Sequence, residues 1–443
     1  MMPWGPMLQS LVNQAIKRSE HLQKRIKELK SWRFTSRSQA PLFLLRLLSS
    51  LNDQICNNLI EFDKSTFIPI NYQGYAALHG EIKVLASMIA NLYTYVSYIE
   101  AASTETNPPG IVSAIERIAN ELLSKPKVLI CPSLQCNYAY HNLLSKKNLR
   151  SEDTFAFLFD EKAFEGQEHF AVFLYPLALR DDVLCHALLM HEVGHLLDEV
   201  KTIVPRALEA LERGPYQYPA EELQSFFTEY VADIVAVCIL GPAYLFAFIE
   251  FLTSLALPTD VGVFKTHPPL NFRIRNILDT IISYEQRFGA FVESKYAENA
   301  ERFLNGFGKH LSNENINADT RSSVVFDYLQ PAIVLARSII KDDIPAALRF
   351  SPTSRLFEKY IGWVEKGIPP AADQLDGKIE PLSLGEILNA AWLYQIMHLE
   401  FPYELPTDLL GSDYSIRLID ISRLIQLAIR QNEDLILYKQ AGI

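Results

Sequence analysis

The feature that most constrains this chain is a pair of histidines four residues apart near its middle, His191 and His195. Residues four apart on an α-helix lie on nearly the same face, so this spacing favours a helix. Asp181 and Asp182 are suited to cap its N-terminus and to place negative charge in its first turn. The nearby apolar residues also recur at helical intervals: Val183, Leu184, Ala187, Leu188, Leu196 and Leu197. The sequence therefore predicts one helix that begins after Asp182 and carries both histidines.

Two imidazoles on one helical face can bind a single zinc ion, and Glu192 is placed to reach a water molecule at that metal. A buried helix whose histidines only form hydrogen bonds in the core gives the same local pattern. The remaining sequence is needed to choose between these two interpretations.

A second helix, rich in apolar residues, is predicted to begin near Pro219, since proline suits the first helical turn. Glu222, Glu229 and Asp233 share one face of this helix. Carboxylates in apolar surroundings need a partner that compensates for their desolvation, and a metal ion with its histidines provides one. We expect Glu229 to be the third zinc ligand, with Glu222 as its rival, and Asp233 to accept a hydrogen bond from His191.

Two further polar residues near the histidines are not expected to bind the metal. Asp198 follows His195 without the glycine turn that would bring a third ligand back. His186 lies about 140° round the helix from His191, which favours a structural role.

The segment from Thr266 to Arg275 predicts the start of another helix, with Thr266 or His267 as its cap and two prolines in its first turn. A histidine held by two prolines is well suited to hydrogen-bond an oxyanion that develops during a reaction. Arg273, on the helix that follows, could reach a carboxylate in the same site.

Taken in this order, the three motifs resemble those of gluzincin zinc metallopeptidases. They are most similar to the branch that contains the CAAX prenyl endopeptidases and the HtpX-type bacterial heat-shock membrane proteases, and the resemblance spans residues 168–280. It implies zinc ligands at His191, His195 and Glu229, a catalytic base at Glu192, a supporting carboxylate at Asp233, and active-site roles for His267 and Arg273. The best-known relatives in this branch are integral membrane proteins, whereas this chain has no convincing membrane span.

We expect a mainly helical protein with a small β-sheet (α+β), in which a gluzincin-like zinc peptidase core is flanked by helical regions. The three regions are an N-terminal helical region at 1–124, a zinc metallopeptidase core at 125–289 and a C-terminal helical region at 290–443. Apolar spacing predicts helices at 7–30, 42–60, 74–102, 111–124, 323–341, 354–366, 384–401 and 414–431.

Short apolar and β-branched runs predict strands at 127–132, 154–159 and 169–175. In a zinc peptidase, an edge strand beside the metal can pair with an extended substrate, and residues 170–175 are the best candidate for that edge. An ordinary buried strand fits the same residues equally well.

Composition narrows the class of partner and the compartment. The net charge of −11 gives no general basic field for nucleic acid. The basic residues of the helix at 7–30 fit a solvated face, with an anionic membrane or a partner protein as the alternative. The chain has few cysteines and their number is odd, which predicts reduced, buried thiols in a reducing compartment. They are Cys56, Cys131, Cys136, Cys185 and Cys238.

Residues 1–10 lack the pattern of a signal peptide. The apolar stretch 234–257 is interrupted by Gly241-Pro242 and by Glu250, which favours two buried helices that meet at Gly241 over a membrane span. We therefore expect a cytoplasmic protein without a transmembrane span.

These patterns predict a zinc-dependent metalloendopeptidase that acts on a peptide or protein substrate, with no nucleic-acid partner. The alternative is a zinc-bearing peptide-binding or sensor protein whose proteolysis is gated or absent, and a metal-free helical scaffold requires all three motifs to be coincidental. The flanking helical regions leave room for a regulatory partner.

Overall fold

The computed structural model describes most of the chain, and helices dominate it, with a small sheet and a β-hairpin. This confirms the expectation of a mainly helical protein with a small β-sheet. The described residues are 4–34, 39–64, 72–103, 107–123, 127–135, 137–142, 170–209, 211, 220–254, 267–287, 297–298, 300–302, 320–351, 357–375, 378–398 and 413–442.

The chain divides into two compact units. The first comprises residues 1–107, 125–133 and 141–174, and the second comprises residues 108–124, 134–140 and 175–443. The division into three regions, made from the sequence, stays a prediction.

Three long helices pack pairwise in the first unit: α1 Trp4–Leu29, α2 Ala40–Lys64 and α3 Tyr72–Ala101. Each was predicted by its apolar spacing, and the apolar faces of all three are buried. Buried Ser19 on α1 donates a hydrogen bond to the side chain of Asn52 on α2. Most of the basic side chains of α1 are exposed, as the prediction of a solvated face requires.

The small sheet contains β1 Lys127–Ser133, β2 Ala139–Asn142 and β3 Phe170–Pro176, in the order β1-β3-β2. Of the two interpretations of residues 170–175, the buried strand is confirmed and the edge strand is wrong, because β3 has a hydrogen-bonded strand on each side and all seven of its positions are buried. Strand β2, which pairs with β3 on the side opposite β1, was not predicted from the sequence. The predicted strand at 154–159 lies outside the described residues.

The second unit is built around a long buried helix, α7. The helices and strands of this second unit are α4 Pro109–Leu122, α5 Leu189–Lys201, α6 Ile203–Leu208, α7 Ala220–Leu240, α8 Pro242–Ser254, α9 Leu270–Ser283, α10 Thr320–Asp343, α11 Phe357–Glu365, β4 Ala372–Leu375, β5 Lys378–Pro381, α12 Leu384–His398 and α13 Asp413–Gln440. Helix α7 contacts α5, α8, α9, α10 and α12, so it forms the centre of this unit. The C-terminal helices lie where apolar spacing predicted them, whereas the antiparallel β4-β5 hairpin was not predicted.

Two predicted helix starts are wrong by several residues. Asp182 does accept a hydrogen bond from the backbone N–H of Cys185 at 3.2 Å, but Cys185 begins a 3₁₀ turn at Cys185–Leu188, whose N-cap is Leu184, and α5 follows only at Leu189. Helix α9 begins at Leu270 with Pro269 as its cap and without a side-chain cap. A residue that precedes proline is disfavoured in the α conformation, so the prolines lie before the helix and not in its first turn.

The predicted junction of two buried helices at Gly241-Pro242 is confirmed, because α7 ends at Leu240 and α8 begins at Pro242. Gly241 has a φ of 63°, in the left-handed region. Among the described helices, only the stretch Leu223–Leu240 is long and apolar enough to cross a membrane, and 78% of it is buried within the structure. A core helix passes the same test of length and composition.

Replacing Gly241 by alanine should destabilise the protein. A Cβ atom there would lie 2.2 Å from the ring of Phe350, and positive φ is unfavourable for alanine. We expect the free energy of unfolding, measured in urea, to fall by about 1–3 kcal/mol. The matched control is Gly362→Ala in α11, where no atom lies within 4 Å of the added Cβ and the stability should hold or rise. Equal stabilities of the two variants would contradict this account.

Candidate metal centre and cleft

The helices α5 and α7 approach each other closely at Gly194. A Cβ atom at this position would lie 2.7 Å from Cα and 2.9 Å from the carbonyl oxygen of Ala232. Such distances leave no room for a side chain, so glycine is required where the two helices cross. The sequence analysis gave Gly194 no role, although a glycine inside a predicted helix was a signal of one.

At this crossing, His191 and His195 of α5 face Glu229 of α7. The two Nε2 atoms are 3.1 Å apart, His191 Nε2 is 3.3 Å from Glu229 Oε2, and His195 Nε2 is 3.5 Å from Glu229 Oε1. Two ligand atoms that each lie about 2.1 Å from a zinc ion, at a tetrahedral angle, are about 3.4 Å apart. These three side chains form a cluster in which the ligand atoms are spaced as those of zinc ligands are.

The Glu229 carboxylate gives a second indication that these residues fit a cation. Its Oε2 atom is buried, and no described residue forms a hydrogen bond to it. Burial opposes ionisation of Glu229, but His191 and Arg273 outweigh it and hold the pKa of this carboxyl well below its usual range. The result is a buried anionic oxygen with unused acceptor capacity, which a bound metal ion would satisfy.

Asp233 lies behind His191 and receives several donors. Its Oδ1 atom is 2.9 Å from His191 Nδ1 and accepts hydrogen bonds of 2.6 Å from Tyr244 and Arg273, while its Oδ2 atom accepts one of 3.0 Å from Arg273. The carboxylate is fully buried, and the Arg273 guanidinium keeps its pKa low despite that burial. With Nδ1–H of His191 donating to Asp233, the Nε2 lone pair is directed into the cluster.

Arg273 and His267 flank the cluster in different environments. Arg273 is buried: beyond its bonds to Asp233, its Nη1 atom is 3.4 Å from Glu229, and its guanidinium lies over the ring of Phe248 at 4.7 Å. It therefore reaches two carboxylates of the site and orients them. The side chain of His267 is 43% exposed, with Nε2 3.5 Å from Glu229 Oε1. Burial lowers its pKa, so the imidazole is neutral near pH 7.

The titratable groups of the metal-free cluster are strongly shifted. Burial raises the pKa of Glu192 to about 7, which suits a group that takes up and returns a proton. Burial alone would lower the pKa of His191, but the adjacent carboxylates of Asp233 and Glu229 raise it to about 9. Burial and the charge on His191 lower the pKa of His195 to about 4. A metal would therefore displace a proton from His191 when it binds.

A cleft of about 400 Å³ opens beside the cluster. Glu192, His267 and Arg273 line it together with the three candidate ligands. Its remaining wall consists of the segment 137–140, which runs into β2, and of Leu188, Tyr244, Phe248 and Phe251. The place of residues 137–140 in the wall was not predicted from the sequence, because they carry no motif and contribute only to a short strand. That of Tyr244 was not predicted either, although a hydroxyl group in an otherwise apolar helix was a signal of it.

The residues that were not expected to be ligands have other partners. His186 is buried, with Nδ1 3.3 Å from the Tyr138 hydroxyl and Nε2 3.1 Å from the Arg180 carbonyl. Asp198 accepts a hydrogen bond from the backbone N–H of Val204 at 2.6 Å. The side chain of Glu222, the rival ligand, lies outside the described part of the chain.

The described cysteines are all free thiols: Cys56, Cys131, Cys185 and Cys238. Cys56 is only half-buried, in contrast to the expectation of buried thiols, and the other three are buried. Cys136 lies outside the described residues.

Comparisons of the chain with protein-family models, with curated proteins and with solved structures found no match. The function therefore has to be argued from the side chains of the site.

Replacing Gly194 by alanine should weaken metal binding. The added Cβ atom would push α7 away from α5 and separate the histidines from Glu229. We expect zinc affinity, measured by competition with a chelator, to fall roughly 10- to 100-fold, as when groups that orient metal ligands are lost. Gly80→Ala in α3 is the control, since no atom lies within 4 Å of its added Cβ. Unchanged affinity in a folded Gly194→Ala variant would show that the close crossing does not set the ligand geometry.

Proposed function

We propose that the protein is a zinc-dependent metalloendopeptidase with a gluzincin-like core. The observation that carries the proposal is the spacing of His191, His195 and Glu229 around one point, together with the buried Oε2 atom of Glu229 that lacks a hydrogen bond from the described residues. Three protein ligands are the number that catalytic zinc sites use, whereas structural zinc sites use four.

Zinc held by these three residues would act as a Lewis acid toward the scissile carbonyl. Glu192, which lines the cleft, takes a proton from the attacking water molecule and then delivers it to the leaving amine. His267 donates a hydrogen bond to the oxygen on which negative charge develops. Asp233 and Arg273 act indirectly, because they hold His191 and Glu229 in their orientations.

The cleft supports a peptide as the substrate. Its volume of about 400 Å³ accommodates a few residues of an extended chain, and the segment 137–140 lines it beside the candidate ligands. Leu188, Phe248 and Phe251 add apolar surface for a substrate side chain. A cytoplasmic location, the absence of a nucleic-acid partner and a regulatory partner on the helical regions stay predictions made from the sequence.

The first test is the zinc content of purified protein by elemental analysis, with cleavage of a broad peptide library on the same samples. We expect one zinc per wild-type chain, lost together with cleavage in His191→Ala and in Glu229→Ala, because each variant removes a ligand. His79→Ala in α3 is the matched control and should keep both. Zinc without cleavage would favour the peptide-binding or sensor protein, and a folded wild type that takes up no zinc would refute the proposal.

Glu192→Gln should separate metal binding from catalysis. The amide cannot take the proton from water, so we expect peptide cleavage to fall roughly 10²- to 10⁴-fold while the zinc content is unchanged. The exposed Glu209→Gln serves as the control and should match the wild type in both measurements. Cleavage at the wild-type rate by Glu192→Gln would exclude Glu192 as the base.

A further inference from the structure

The two ligand histidines are held in different ways. His191 is oriented by a partner at Nδ1, since Asp233 lies 2.9 Å away. For His195, the described residues provide only one hydrogen-bond contact, that between Nε2 and His191, and none at Nδ1. An imidazole that is attached to a helix and lacks such a partner can rotate about its side-chain bonds unless packing restrains it.

The ring of Tyr140 packs against the imidazole of His195. The two rings are stacked, with centroids 6.4 Å apart and planes inclined by 14°. The Tyr140 hydroxyl donates a hydrogen bond of 2.5 Å to Glu199 Oε2. Because Glu199 follows His195 by one turn of α5, it lies on the same face of that helix. The tyrosine ring is thus fixed at both ends, by its backbone in β2 and by its hydroxyl on α5.

We propose that Tyr140 and Glu199 form the positioning pair of His195, a role that rests on the proposed zinc site. Glu199 orients the Tyr140 ring, and the ring restrains the imidazole with its Nε2 atom directed at the metal position. Tyr140 also lines the cleft, so the group that steadies a ligand is part of the wall that a substrate meets.

The pair is separable from the stability of the fold. Glu199 is exposed and Tyr140 is half-buried, and a hydrogen bond in such a position contributes little to global stability. A variant that breaks it should therefore remain folded and should alter the metal site selectively.

The test is the rate at which a chelator removes zinc from the loaded protein. We expect roughly 10-fold faster release from Tyr140→Phe, which removes the donor, and from Glu199→Ala, which removes the acceptor, and up to about 100-fold faster release from Tyr140→Ala, which also loses the stacked ring. The double variant Tyr140→Phe/Glu199→Ala should release zinc no faster than either single variant, because all three lack the same bond. In protein loaded with Co²⁺, the visible absorption spectrum should shift for Tyr140→Ala.

The matched control is Tyr98→Ala. Tyr98 stacks on His141, a histidine outside the cluster, with the same centroid distance of 6.4 Å and an angle of 12°. Zinc release and the cobalt spectrum should be those of the wild type in this variant. Wild-type release from Tyr140→Phe, Glu199→Ala and Tyr140→Ala would overturn the positioning role, and so would equal effects of Tyr98→Ala and Tyr140→Ala.

The two proposals fail in different ways. If wild type holds zinc but cleaves no peptide, the peptidase proposal fails, while the release rates still decide the role of Tyr140. If wild type cleaves peptides and the release rates do not change, only the positioning pair is overturned. A wild type without metal overturns both.

Discussion

A single buried carboxylate, that of Asp233 on α7, links the helices that surround the cleft. It is contacted by His191 from α5, by Tyr244 from α8 and by Arg273 from α9. A buried charge is tolerated only when its partners are close and correctly oriented, and removing one partner leaves the remaining charge uncompensated. The orientation of these helices is therefore tied to the ionisation of Asp233, and so is the direction in which His191 presents Nε2.

The close crossing of α5 and α7 and the break after α7 complete this arrangement. Gly194 lets α7 approach to a distance at which Glu229 meets both histidines. Gly241, with its positive φ, allows α8 to begin directly after α7, so that Tyr244 lies near Asp233. Backbone positions without a side chain thus bring charged groups together, and the charged groups in turn hold the helices in place.

One wall of the cleft comes from a part of the chain that carries no motif. The central position of β3 excludes it as an edge strand, whereas the segment 137–140 lines the cleft. Tyr140 belongs to this segment, stacks on one candidate ligand and bonds to the helix that carries it. Substrate contact and metal geometry are coupled at this residue if the proposed function is correct.

The sequence by itself determined most helices, the junction at Gly241-Pro242, and the residues that form the cluster. Helical periodicity is local, so the spacing of His191 and His195, or of Glu229 and Asp233, already fixes which side chains share a face. Only the tertiary structure decided that β3 is central, that a 3₁₀ turn precedes α5, and that Gly194, Tyr244 and Tyr140 contact the residues of the site. Each of the three residues acts through a contact with a distant segment, and that contact depends on how the segments pack, which no local pattern encodes.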